Sequence, residues 1–197
     1  MTYIGQFFMG IITAMLVENV LFTRALGVSP LLLVVNKSKN FFLFGGIITV
    51  ITTVSSVLTW AAFQPLKRFG YRYLFEPLIL VLLLGALYFA AYYFLSRAKG
   101  ERAVLIKNAL PYSVFNCAVV GSMLLLVHNR MSLLSSVVFG IGSGLGFLLA
   151  GFFVNEGQRR MQQADVPAAF RGLPITLLYI GILSLAFYGL TGRILAV

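Results

Sequence analysis

YIGQFFMGIITAMLVENVLFTRALGVSPLLLVV, residues Tyr3–Val35, is a run of 33 mostly apolar residues with Glu18-Asn19 at its middle. A helix crosses the hydrocarbon core of a bilayer with ~20 residues. The stretch is therefore too long for one straight span and too apolar for water. Arg24, Gly27 and Pro30 follow the polar pair. A proline removes one helix donor and clashes with the preceding turn. These residues predict a discontinuous or strongly bent helix whose polar break lies near mid-membrane. Irregular backbone survives at that depth only when covered by protein or facing a cavity.

Five further segments reach spanning length: Asn40–Phe63, Leu74–Leu95, Ala103–Val127, Ser132–Asn155 and Leu173–Ala196. The connections between them are short and polar, and no strand-like alternation runs through them, so helices are expected rather than a barrel. Composition agrees. The chain of 197 residues is 60% hydrophobic and 10% charged, where a soluble domain is ~45–50% apolar and ~25% charged. The N-terminal stretch lacks a basic start and is too long for a cleavable signal, so it is expected to stay in the mature protein. Fifteen Lys and Arg against five Asp and Glu give a net charge of +10. The basic residues stand in short runs between apolar segments, as at anionic headgroups, and predict a lipid bilayer and no nucleic acid as partner.

Charge also sets the expected orientation. Lys37, Lys39, Arg97, Lys99, Arg102, Lys107, Arg159, Arg160 and Arg171 lie on one side; Lys67, Arg68, Arg72, Arg130 and Arg193 lie on the other. Nine against five puts the first side in the cytoplasm and both termini outside.

A shift of 97 residues pairs Asn19 with Asn116, Phe42 with Phe139, Gly45 with Gly142, Pro77 with Pro174 and Leu80 with Leu177. Each half, residues 1–97 and 98–197, then holds three spans. With an odd number, the second half must run upside down, the inverted-repeat design of many transporters. The expected fold is all-α and integral to the membrane, six spans in two inverted three-helix repeats within a single domain. The first helix of each repeat is broken. In the second repeat the break is expected among Pro111, Asn116-Cys117 and Gly121.

ENVLFTRALGVSP (Glu18–Pro30), NCAVVGSMLLL (Asn116–Leu126) and ADVPAAFRGLPITLLYIGILSLAFYGLTG (Ala164–Gly192) resemble the Rnf/Nqr membrane subunits, on the RnfA-type (NqrE-like) branch. The likeness covers the whole chain. It implies an integral component of a redox-driven sodium or proton translocase in the bacterial inner membrane. The implied partners are a homologous six-helix subunit of opposite topology (RnfE/NqrD-like) and further redox subunits. The implied cofactor is a [2Fe-2S] centre shared between the homologous pair, two cysteines from each. Cys117 falls on one of those cysteines; Ser29, in Gly27-Val28-Ser29-Pro30, stands where the family has the other. A neutral hydroxyl is a poor substitute for a soft thiolate on iron.

Glu18 stands where the family usually has asparagine. A carboxylate deep in a span costs on the order of 2.5–3.5 kcal/mol on insertion scales, so it needs a partner, a proton or a wet cavity. Glu18, Asn19 and Asn116 are the candidate ion or coupling residues. A pair with Arg24 is the structural alternative for Glu18, capping the alternative for the asparagines, and inert packing the alternative for Cys117. Gly140, Gly142, Gly144 and Gly146 predict close helix packing. A secondary transporter or channel-like protein that has lost electron transfer is the competing functional reading, and a purely structural role the third.

Overall fold

The computed structural model describes residues 3–29, 41–66, 72–97, 99–163 and 165–190. Pro30, Lys37, Lys39, Lys67, Arg68 and Arg193 lie outside the described residues. Among those described there are helices and no strand. In chain order α1 is Tyr3–Ile12, followed by a π-helical turn Thr13–Val17. Next come α2 Val20–Arg24, α3 Phe41–Leu66, α4 Arg72–Arg97, α5 Glu101–Val114 and α6 Cys117–His128. The long α7 is Leu133–Gln163, and α8 is Leu173–Leu190.

Four stretches are long and apolar enough to cross a membrane: Gly5–Arg24, Phe41–Pro65, Leu74–Arg97 and Leu133–Gln163. Ala103–Val114 with Cys117–His128, bent by 52°, makes a fifth if counted as one span, and Leu173–Gly189 is a shorter apolar helix. The helix ends differ from the sequence expectation where polar residues continue a helix. The fifth segment is expected to stop at Asn155, yet α7 runs on to Gln163. Glu156 and Arg160 pair across one turn at 3.1 Å, and Gln, Met and Arg are good helix formers.

α3 and α7 form the centre of the bundle. A Cβ built on Gly140 would stand 2.8 Å from the Thr53 Cα, one on Gly144 would strike the Thr49 Cα, and Gly45 faces the Leu148 side chain. Residue numbers fall on one helix as they rise on the other, so the two run antiparallel. Their backbones approach this closely because small residues line the seam, the usual basis of helix association in lipid. Gly142 and Gly146 turn to α1 and the π turn, against Ala14, the Ile11 oxygen and the Met15 oxygen. The glycine ladder thus packs two neighbours, as the sequence predicts. Most threonines along the seam turn their hydroxyls back onto their own helix: Thr49, Thr52, Thr53 and Thr59 donate to carbonyls four residues back at 2.7–2.8 Å, whereas the buried Ser56 and Ser143 hydroxyls have no partner among the described residues.

Two apolar clusters flank the seam. One joins Val20, Leu21 and Phe22 to Phe44, Phe147, Val154 and Phe187; the Phe22 and Phe187 rings stack at 4.4 Å. The other joins Ile51 and Phe63 to Leu84, Val114, Val119 and Met123. α4 leaves Leu74, Leu78, Val81, Leu82, Phe89 and Phe94 exposed, a face suited to lipid tails rather than water.

Candidate functional site

The first break is built by one side chain. The N–H of Glu18 donates to the Thr13 oxygen, five residues back, at 3.0 Å, which adds one residue to the turn. Such π bulges gather at functional sites. Asn19 then leaves helical geometry with φ −58° and ψ 109°. Its Oδ1 accepts from the Leu21 and Phe22 N–H groups at 3.1 and 3.2 Å. Its Nδ2 donates to the Met15 oxygen at 3.0 Å and to the Gly146 oxygen of α7 at 2.9 Å. Asn19 is fully buried. It therefore caps α2, closes the end of the preceding turn and staples both to α7, in a setting where an unmade hydrogen bond is costly.

α2 ends at Ala25, whose φ of 54° is left-handed, a conformation that costs an L residue about 1–2 kcal/mol. Ala25→Gly should relieve this and raise unfolding stability by about 1 kcal/mol, read as a higher thermal midpoint of the solubilised protein. An unchanged or lower midpoint contradicts the assigned turn. Gly27 follows with φ 89°, and a Cβ there would be 2.9 Å from the Ala118 Cβ and 3.1 Å from the Asn116 Oδ1. Only glycine fits.

The second break lies at Phe115-Asn116, four residues beyond Pro111, which sits inside α5. Of the residues that the sequence offers for it, the capping asparagine marks the place and the proline does not. The Phe115 N–H closes the last turn onto the Pro111 oxygen at 3.0 Å. Asn116 then starts α6, its Oδ1 accepting from the Ala118 N–H at 3.0 Å. Asn116 is as buried as Asn19, but its Nδ2 has no partner among the described residues.

The two breaks meet. Gly27 carries the first against Asn116 and Ala118, and Val20 and Leu26 pack on Gly121. The segment bearing Ser29 thus lies beside the helix start bearing Cys117. Ser29, Cys117 and Glu18 are all exposed on the isolated chain, while the asparagines are not. No ion pair joins Glu18 to Arg24 among the described residues. Nor do these residues include a group of three or more His, Cys, Asp or Glu able to hold a metal ion. Sequence reasoning missed the π turn and the Gly146 carbonyl as a partner of Asn19. The glycine ladder was the signal for the second, since a residue without a side chain leaves its backbone open to a neighbour.

The family model for the Rnf-Nqr subunit, a membrane protein, matches residues 7–194. Among curated relatives, the A subunit of the ion-translocating oxidoreductase complex of Alcanivorax borkumensis is 34% identical over 188 residues, 93% of this chain and 95% of the relative. Its counterpart of the same name from Syntrophotalea carbinolica is 31% identical over 185 residues, again 93% and 95%. The A subunit of the Na(+)-translocating ferredoxin:NAD(+) oxidoreductase complex of Acetobacterium woodii is 28% identical over 185 residues, 92% and 94%.

Proposed function

Because this chain belongs to the Rnf-Nqr membrane-subunit family, we propose that it is the A-type integral component of an electron-transport complex that drives sodium or proton translocation. The observation that carries the reading is the pair of capped breaks, joined through Gly27, that leaves Ser29 and Cys117 on neighbouring exposed backbone. Polar groups at membrane depth do not face lipid without penalty. The expected cover is a homologous six-helix subunit of opposite topology, with other redox subunits beyond it, in the bacterial inner membrane with this chain's termini outside.

The inverted-repeat reading, residues 1–97 and 98–197, draws support from two features. Asn19 and Asn116, 97 positions apart, each cap the helix that follows a break by accepting from the N–H two residues on. The helices that the shift pairs, α3 and α7, run antiparallel against each other, the relation expected when one half is the other turned over.

The residues present supply only one of the two thiolates of the family's half-site. This chain brings one soft donor, Cys117, and one hydroxyl, Ser29. A [2Fe-2S] centre shared with the partner would rest on Cys117 as metal ligand and Ser29 as a weaker oxygen donor. Glu18 is the coupling residue in this reading, its exposed carboxylate at the first break offering a cation or proton site, with Asn19 and Asn116 holding the backbone of the two breaks.

One experiment tests the assignment: iron content and visible spectrum of the anaerobically purified complex, with ion flux in vesicles. Charge-transfer bands that vanish in Cys117→Ala and strengthen in Ser29→Cys, with flux falling at least about tenfold in Glu18→Gln, are the expected results. A colourless complex whose flux still depends on Glu18 favours the second reading, a transporter without electron transfer, which the loss of the cysteine at Ser29 supports. Flux indifferent to Glu18 leaves a structural role.

A further inference from the structure

α2 leaves one polar side chain unspent. Its residues Val20, Leu21 and Phe22 are buried, while Thr23 and Arg24 are exposed. The Thr23 hydroxyl donates to the Asn19 oxygen at 2.7 Å. Arg24 has no hydrogen bond, ion pair or ring contact among the described residues. Glu18, at the start of the same stretch, is exposed and unpaired as well.

The contacts at the break fix how deep this guanidinium is rooted. Asn19 donates to the Gly146 oxygen of α7. At 1.5 Å per residue, Gly146 stands about 20 Å along α7 from Leu133 and about 12 Å from Val154, where the apolar run gives way to Asn155-Glu156. Asn19 is therefore inside the hydrocarbon core, which is ~30 Å thick. α2 then advances by about 7.5 Å to Arg24. Gly27 brings the chain back against the side chain of Phe147, the residue after Gly146. Both ends of the excursion sit at one level, so the Arg24 backbone lies within the core.

A guanidinium stays charged at any physiological pH. It cannot escape the cost of hydrocarbon by losing a proton, as Glu18 can by gaining one. It needs an anion. Lipid phosphates stand at the bilayer surface, and no acyl chain would serve Glu18 at the same break. A protein face meets both needs. Ser29, which the homologous subunit is expected to cover, is exposed on the same short stretch of chain. A planar fork with its N–H groups free takes a carboxylate through two parallel bonds. On the assignment of that subunit, we propose that Arg24 is the ionic anchor of the interface: it binds a carboxylate on the membrane-buried face of the homologous neighbour.

The test uses the complex purified on a tag carried by this chain, with the homologous subunit that stays bound counted during dilution in mild detergent. Arg24→Gln should lower the retained subunit about tenfold, since a buried carboxylate then loses its counter-charge. Arg24→Lys keeps the charge and supplies an amine. Dicyclohexylcarbodiimide, which activates carboxyl groups in apolar surroundings, should join that amine to the neighbour in an amide bond, located by peptide mass spectrometry. This product does not depend on how well the Arg24→Gln variant folds. If the unaltered chain retains no second six-helix subunit, the assignment of that subunit fails and the anchor with it. If it retains one, equal retention by Arg24→Gln overturns the anchor alone, and so does an Arg24→Lys complex that yields no amide to the neighbour. An amide to Glu18 of the same chain overturns it too, since the two charges would then serve each other. So does an anionic lipid that native mass spectrometry finds on the unaltered chain and not on Arg24→Gln, with subunit retention unchanged.

Discussion

Valine at Gly144 is expected to leave little folded protein. A Cβ at this position already strikes the Thr49 Cα and lies 2.9 Å from the Thr49 Oγ1. The obstacle is backbone and a β-branched residue, neither of which swings aside as a flexible side chain would. Overpacking of this kind costs about 1–3 kcal/mol even for small additions, and valine adds two further methyls to the seam. A loss of more than about 3 kcal/mol follows, enough to part α3 from α7. Gly46 supplies the control. It lies on α3 with nothing within 4 Å of a built Cβ, and Gly→Ala inside a helix gains about 0.8–1 kcal/mol from propensity alone. Gly46→Ala should therefore raise the thermal midpoint of the solubilised protein, whereas Gly144→Val abolishes its monodisperse elution. Equal behaviour of the two variants would mean that α3 and α7 are not in backbone contact.

Asn19→Ala is expected to cost about 3–5 kcal/mol, and Asn116→Ala only about 1 kcal/mol. The two residues look interchangeable in sequence, and both are fully buried at a helix start. Their bonds differ. Removing the Asn19 side chain strands two N–H groups and withdraws a donor from two carbonyls. Each buried orphan costs about 1–3 kcal/mol. Removing the Asn116 side chain loses one bond, to the Ala118 N–H, and discards an amide donor that already lacks a partner. Asn19→Asp should be no rescue: it keeps the acceptor but turns a charge toward the Met15 and Gly146 oxygens. Thermal unfolding of the four proteins, unaltered and substituted, gives the order directly. A larger loss at Asn116 than at Asn19 would refute the bonding pattern at the first break.

The apolar runs were legible in sequence because length and composition suffice for them. The presence of breaks was legible too, since Asn and Pro are rare in spans. Where the second break falls was less clear, because Pro111 can be carried within a helix while the cap bond at Asn116 ends it. The end of α7 was misjudged at Asn155 because polarity alone does not end a helix when Glu156 and Arg160 can pair along it. At the site, the sequence named Glu18, Asn19, Ser29, Asn116 and Cys117 but could not divide them. Which are buried depends on the π turn at Thr13–Val17, and an extra residue in a turn leaves no compositional trace. The Gly27 contact that joins the breaks was likewise hidden, because a glycine close to a proline reads first as a turn.

The unequal asparagines give the bundle one stiff joint and one loose one. At the first, swinging the helix away means giving up every bond that Asn19 makes, including its tie to α7. At the second, a single bond from Asn116 resists rotation about residues 115–116, and the idle amide can seize a new acceptor as the geometry changes. Any bending at the breaks would therefore pivot at Phe115-Asn116, and carry Cys117 with it while Asn19 stays put.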